Sequence, residues 1–532
     1  MSERDRMLAL CDNIDASVEG LRAEIDGAFP VPPEPSLITV KVKPGDDVQA
    51  AYTSLLETGG IIKLAPGLHR PVTFSERPTD AKQITFTSDS TNLPDEQTRI
   101  TPEYAPALGI LQQTAATSHA VRAKNKSRNV AFVNVGIAPP ATKSYAHVEL
   151  GGDKTNMPTP ADRPSGFVFD RVYVYGDPVL GAHRGITLNA VDLIVRKSWF
   201  DDIFEVGRDS QAVSAWNGGQ HILLDDCFFG AGAENIMFGG SDSASPEMTC
   251  ADIIIRDCTL AKNFAWMSLA SQPSIKALFE IKNVKRLLME RCLLERNWAR
   301  DWPDGVAIIL KACNGQNIET WATCEDVTLR DLIVRDVGSV LSMVGKNDSS
   351  RVSDWMRRVS ISNLLAYDID TGDYQGTGRG CPFQKGAEDC FVLDHVTYHT
   401  NNHSWMNMDL DPAIAAKSPG TLVFTNSVVA EDDYGYYSAD NGCGFAAATK
   451  DWTGTEIIGN VFKIGERSQG TVPPNNLRLS AADWEASFDA NHQILPGSPA
   501  AAVVTTDGTL PGAHFATLPM RMATTRDSEP VG

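Results

Sequence analysis

Apolar and polar positions along this chain keep returning in one phrase. Two or three apolar residues with strand-like alternation come first, then a polar pair, a small or apolar residue, and two further apolar positions. The copies read VAFVNVGI from Val130, FVFDRVYV from Phe167, LIVRKSWF from Leu193, ILLDDCFF from Ile222, IIIRDCTL from Ile253 and LLMERCLL from Leu287. They continue as VTLRDLIV from Val327, VSISNLLA from Val359, FVLDHVTY from Phe391 and LVFTNSVV from Leu422. Successive anchors lie 26 to 40 residues apart, the period of a solenoid built from stacked supersecondary units. Alternation within each copy predicts half-buried strands, and no amphipathic helix separates them, which argues against βαβ units. The expected fold is all-β, a parallel β-helix whose coils lie about 4.8 Å apart.

Cys227, Cys258 and Cys292 each fall five residues after an anchor. On stacked coils they form a column of small buried side chains, a common use of cysteine. No cysteine or histidine spacing fits zinc, so neither a disulfide framework, nor a metal site, nor any cofactor is expected.

A second strand precedes each anchor phrase: GITLN, QAVSAWN, ENIMFGG, LFEIKN, GVAIILKA and SVLSMVG. Its outward side chains should form one lateral face. Aligned strand starts place Arg184, Gln211, Glu234 and Asp304 in one column, with Asp202, Glu205 and Asp209 in the turn before it and Asp242, Glu280, Lys282 and Asp301 nearby. Carboxylates one or two coils apart would sit about 5 or 10 Å from each other, bracketing the separations used by retaining and inverting glycosidases. Glu234 is the expected acid, with Asp209 or Asp304 as partner, and a raised pKa would keep it protonated. Against this stands the plain reading that acidic residues are abundant here and surface turns need polar groups. Substrate contacts are expected from Arg184, Gln211, Trp216, Asp242, Trp298 and Trp302, since indoles make flat platforms for sugar rings. Trp266 and Trp321 flank the same block, and about half of these tryptophans should be packing. Arg184, Arg208 and Lys282 would serve a lyase instead, without calcium-ligand spacing. LDHVTY, Leu393 to Tyr398, occupies the repeat slot and reads as strand edge, and His183, His399 and His403 mark no triad.

The 532 residues carry a formal charge of −20, with 42% hydrophobic and 21% charged positions. Such a chain folds, and its charge argues against nucleic-acid or anionic-membrane partners. The N-terminus lacks the unbroken apolar run of a signal peptide, and no stretch is long and apolar enough to span a membrane. Residues 1–29 place Met7, Cys11, Ile14, Val18, Leu21 and Ile25 at coiled-coil spacing. Residues 7–25 therefore form either a homotrimer seam or one amphipathic helix packed on the body. A Pro-rich linker at 30–41, the β-helix at 42–515 and a loose tail at 516–532 complete the expected organisation.

Between Val42 and Phe74, a GDDVQAA helix, a GG turn and an IIKLAPG strand resemble the opening of the pectate-lyase-like β-helix superfamily, where the helix caps the first coil. PGSPAAAVVTTDGTLPGAHF resembles the closing segment of carbohydrate-active β-helix proteins, and the central block is similar to a group of bacterial right-handed β-helix repeat proteins. The resemblance implies a right-handed parallel β-helix. With the N-terminal seam and no secretion signal, the chain looks like a phage tailspike. That implies a virion protein, made in the host cytoplasm and joined to other virion proteins through its N-terminus, which binds and depolymerises surface polysaccharide. A bacterial polysaccharide lyase or glycoside hydrolase, and a non-catalytic glycan-binding adhesin or structural fibre, are the alternatives, because one solenoid hosts all three.

Overall fold

The structure, a computed structural model, describes residues 38–515 except 115–118, 139–144, 178, 180, 302–304, 314, 316–317, 348–351, 371, 401–404, 411–416, 432 and 466–469. The 7–25 seam, residues 30–37 of the linker, His403 and the 516–532 tail lie outside the described residues. The described chain divides into two units, residues 38–274 and residues 275–515, and each is a stack of parallel β-helical coils. No helix among the described residues is long and apolar enough to cross a membrane.

In residues 38–274 the anchor positions meet in the expected parallel register. Val130 lies opposite Phe167, Phe167 opposite Leu193, Leu193 opposite Ile222, and Ile222 opposite Ile253. Equivalent inward positions repeat once per coil, so like side chains stack: the rings of Phe86, Phe132 and Phe169 follow one another with centroids 5.1 Å apart at each step.

The polar pair of each phrase is a corner. Its second member takes a positive φ: 52° at Arg171, 49° at Lys197, 50° at Asp226 and 55° at Asp257. A left-handed residue costs an L-amino acid roughly 1–2 kcal/mol, and it turns the chain between two strands. The next residue is buried and bridges coils. Val172 N–H donates to Ser198 Oγ at 3.0 Å, Ser198 N–H to Cys227 Sγ at 3.4 Å, and Cys227 N–H to Cys258 Sγ at 3.5 Å. The cysteine column thus accepts hydrogen bonds as well as filling space, and burial next to Cys258 pushes the Cys227 thiol up.

The first strand, Thr39–Val42, already pairs with Gly60–Leu64, so coiling begins within the stretch expected to be linker. Helix Val48–Ser54 starts at Asp47, whose carboxylate accepts the Ala50 N–H, and it sets Tyr52 against the Phe74 ring at 4.9 Å. Gly60 adopts φ +147°, and a Cβ there would stand 2.4 Å from the Ile38 carbonyl oxygen, which accounts for the second glycine of the GG turn. A long excursion brings Ile100 and Leu108 onto Tyr173, Trp199 and Phe228, where Arg99 clasps Asp226 at 2.6 Å.

In residues 275–515 the anchors again stack, Leu287 on Val327, Val327 on Val359, Val359 on Phe391 and Phe391 on Leu422. Corner residues Asp331, Asn363, His395 and Asn426 hold φ between 49° and 56°, so LDHVTY, expected as strand edge, contains a corner at His395. Regular structure continues beyond the last anchor phrase. Tyr436–Ser438 pairs with Met406–Asp409 and leads into helix Phe445–Asp451, while Leu477–Leu479 pairs with Val461–Lys463. Three-residue strands between turn formers are too short for alternation to register.

The closing segment runs along the corners. Asn426 accepts the Thr506 N–H at 2.7 Å, His395 meets Thr509 Oγ1 at 2.9 Å, Thr397 accepts the Ala513 N–H at 2.8 Å, and Asn363 accepts the His514 N–H at 2.6 Å. One strap therefore ties together corners that are far apart in sequence.

Candidate functional site

The column Arg184, Gln211, Glu234 exists in the expected register, but it does not face outward. Each member lies two residues before a core position (Ile186, Val213, Ile236), so strand alternation sends it to the same side. Glu234 is 0% exposed and accepts a 2.7 Å hydrogen bond from Gln211 Nε2, itself buried. Lys262 closes the group from the following coil. Its ammonium donates to Ala231 O at 3.1 Å, Ala233 O at 3.2 Å and Asn235 Oδ1 at 3.1 Å, and to Gly232 O. Burial pulls this amine down to about 7, with Glu234 opposing. The polar letters that drew attention in the sequence make an enclosed corner staple.

The other expected residues scatter. Asp209 is exposed in the turn after Glu205. Asp242 is buried, with Lys154 Nζ at 3.4 Å. Trp298 is buried in the second unit, and Trp266 is buried with its Nε1–H donating to Asp202 Oδ1 at 3.1 Å. Asp304 and Trp302 lie outside the described residues. Among the described residues, no group of three His, Cys, Asp or Glu is placed to hold a metal ion.

What is open to a ligand lies one step along the same strands. Val121–Ala123, Val148–Leu150, Arg184–Leu188 and Gln211–Ala215 pair side by side. Arg122 and Glu149 are register partners on the face opposite Val121, Val148 and Leu150. A cavity of about 530 Å³ opens over them, lined by Glu76, Arg122, Lys124, Tyr145, Glu149, Asp153 and Trp216 among others. On its floor, Glu149 Oε2 lies 2.8 Å from Arg122 Nε and 2.9 Å from His119 Nε2.

Tyr145 and Trp216 flank one cation. The Arg184 guanidinium carbon is 4.9 Å from the Tyr145 ring centre and 5.1 Å from that of Trp216. Burial lowers the Arg184 pKa, opposed by Tyr145 and Glu234, and the guanidinium fills the gap between the two aromatics. Tyr145 is 43% exposed, whereas Trp216 is 9% exposed and, among the described residues, its Nε1–H has no hydrogen-bond partner. Asp153 shapes the rim, its Oδ1 accepting from the N–H groups of Thr155 and Asn156 at 2.9 and 3.0 Å.

Arg184 and Trp216 were legible in the sequence. Arg122, Tyr145 and Glu149 were not, because the strands Val121–Ala123 and Val148–Leu150 have only three residues each. The missed signal was the short alternation of HVEL, which forms the strand Val148–Leu150.

No family model and no curated protein matches the chain. Among solved structures it is similar to the catalytic unit of a thermostable GH87 α-1,3-glucanase from Streptomyces thermodiastaticus strain HF3-3, at 11% identity over 82% of this chain and 71% of that one, with TM-score 0.41. It is similar to the PL6 family alginate lyase AlyGC at 10% identity over 91% of this chain, with TM-score 0.48, and spans 57% of the lyase. It is similar to the tailspike protein of E. coli bacteriophage HK620, solved in complex with pentasaccharide, at 12% identity over 84% of this chain and 77% of that one, with TM-score 0.38. At these identities what the chain shares with a glucanase, a lyase and a tailspike is the β-helix fold.

Proposed function

We propose that this protein binds a polysaccharide through the cavity over Arg122 and Glu149, in the manner of a tailspike-like virion protein that holds and cuts host surface glycan. The observation that carries the reading is the Tyr145–Arg184–Trp216 sandwich at the cavity wall. The exposed ring of Tyr145 offers an apolar aromatic surface to the C–H face of a sugar ring. An arginine held between the two aromatics keeps both rings in place. Arg122, Glu149 and the exposed Lys124 supply polar groups at the floor and rim. That mix of flat apolar and convergent polar surface is typical of ligand clefts. Trimerisation through residues 7–25 and attachment to other virion proteins belong to the same proposal.

The test is a panel of neutral and acidic polysaccharides, with affinity by calorimetry and cleavage read as new reducing ends or as absorbance of unsaturated uronate. Trp216→Ala is expected to weaken binding of the best glycan at least about tenfold, as loss of an aromatic anchor does at a hot spot, and Tyr145→Ala, which removes the more exposed ring, is expected to do the same while its melting temperature stays within a few degrees of the parent. Binding unchanged by Trp216→Ala, or no binding across the panel, would overturn the assignment. New reducing ends without ultraviolet absorbance identify a hydrolase, and the absorbance identifies a lyase.

A further inference from the structure

In residues 275–515, the strands Ala277–Ile281 and Val306–Lys311 pair with Phe279 opposite Ile308 and Ile281 opposite Leu310. That register sets Lys282, the next residue, level with Lys311 on the adjacent strand, with backbones about 4.8 Å apart. Phe279, Ile281, Ile308 and Leu310 are fully buried, so alternation turns Glu280, Lys282 and Lys311 to the other face. Glu280 Oε2 lies 2.6 Å from Lys276 Nζ and Glu280 Oε1 lies 3.4 Å from Lys282 Nζ, so both carboxylate oxygens are engaged. Lys311 is half-buried, and among the described residues its ammonium has neither an ion-pair nor a hydrogen-bond partner. Burial pulls its pKa down, Cys313 and Glu280 oppose the fall, and Lys282 and Lys276 add to it.

The register thus brings Lys311, whose ammonium is unpaired among the described residues, beside Lys282, whose ammonium is held by Glu280. Two ammonium groups abreast, in a partly desolvated place, repel each other unless an anion joins them. We propose that Lys282 and Lys311 form an oxyanion-binding site, taking a carboxylate, sulfate or phosphate group between their two ammonium groups. The site shares no residue with the Tyr145–Trp216 cavity and does not depend on what that cavity binds. Two lysines act as point charges with rotatable donors and tolerate any of the three oxyanions. A sulfate or carboxylate borne on a glycan and a free inorganic anion therefore offer it the same chemistry.

The experiment compares the melting temperature of the full chain in sodium sulfate and in sodium chloride at equal ionic strength, for the parent, Lys311→Met, Lys282→Met and Lys276→Met. General exclusion of sulfate stabilises every variant, so the excess in the parent is the reading. That excess is expected to vanish in Lys311→Met and Lys282→Met. Without sulfate, Lys311→Met is expected to melt no lower than the parent because a repulsion is gone, whereas Lys276→Met melts lower because buried Glu280 loses a partner. Sulfated and neutral dextran separate the sources. Sulfated-dextran binding that falls at least about tenfold in Lys311→Met places the anion on a polymer, and a sulfate response without polymer binding assigns the site to free anions. An equal sulfate increment in the parent and in Lys311→Met, confirmed with Lys311→Gln, would overturn the proposal, whatever the outcome of Trp216→Ala.

Discussion

Replacing Lys262 with methionine is expected to cost the first unit about 3–5 kcal/mol, the range seen when one partner of a buried charge group is removed. Methionine fits the channel but donates nothing. Ala231 O, Gly232 O, Ala233 O and Asn235 Oδ1 would each lose a donor in a site that water does not reach. Glu234 would keep the Gln211 hydrogen bond and lose the nearby positive charge. Denaturant unfolding measures the loss, and hydrogen exchange of the amides around Phe228–Ala231 and Glu234–Phe238 should show that it falls on these coils.

The pH dependence of the same residue has a definite sign. Its folded pKa is about 7, against 10.5 ordinarily. Between those values the unfolded chain carries a proton that the folded chain has released, so stability rises with pH across that window. Parent protein should therefore be more resistant to denaturant at pH 9 than at pH 7, and Lys262→Met should flatten that difference. The neutral amine still donates two hydrogens, so the staple survives its own deprotonation. Equal stability of parent and Lys262→Met at pH 9 would show that the four oxygen contacts contribute nothing, which would sink this account.

Fold and site were unequally legible in the sequence, for reasons visible at single residues. Stacking of Phe167 on Leu193 on Ile222 could be read directly because alternation and period are properties of the chain itself. The direction of Glu234 depends on where a strand begins relative to its corner, and a one-residue difference reverses every side chain. Polarity pointed outward at Gln211 and Glu234, while counting back by twos from Val213 and Ile236 pointed inward, and parity won because Lys262 arrives from the following coil to close the group. No pairwise pattern announces such a lysine. Arg122 and Glu149 escaped for the opposite reason: their strands have three residues each, and the coils that carry them are interrupted by long excursions. The polar pairs RK, DD, RD and ER are turn geometry, with a left-handed residue at the second position of each.

Asn460→Ala should destabilise the last coils of the second unit by about 2–4 kcal/mol, two buried backbone groups each left without a partner. Asn460 follows a left-handed corner residue, Gly459, and occupies the slot held by Ser198, Cys227 and Cys258 in the first unit. Its amide does more than theirs. Oδ1 accepts the Ser427 N–H at 2.8 Å, Nδ2 donates to Phe424 O at 2.7 Å, and Asn476 continues the ladder by donating to Ile457 O at 2.7 Å. Cysteine in the slot accepts one N–H weakly and donates weakly to a carbonyl, so Cys258→Ala is expected to cost only about 1 kcal/mol beyond the lost volume. The graded series Asn460→Ser, Asn460→Cys and Asn460→Ala, followed by urea unfolding, separates hydrogen bonding from filling. If bonding governs, stability falls in that order, because serine retains a full-strength acceptor. If Asn460→Cys proves as stable as Asn460→Ser, volume governs the slot instead, and the ladder is a consequence of stacked coils rather than one of the forces that keep them in register.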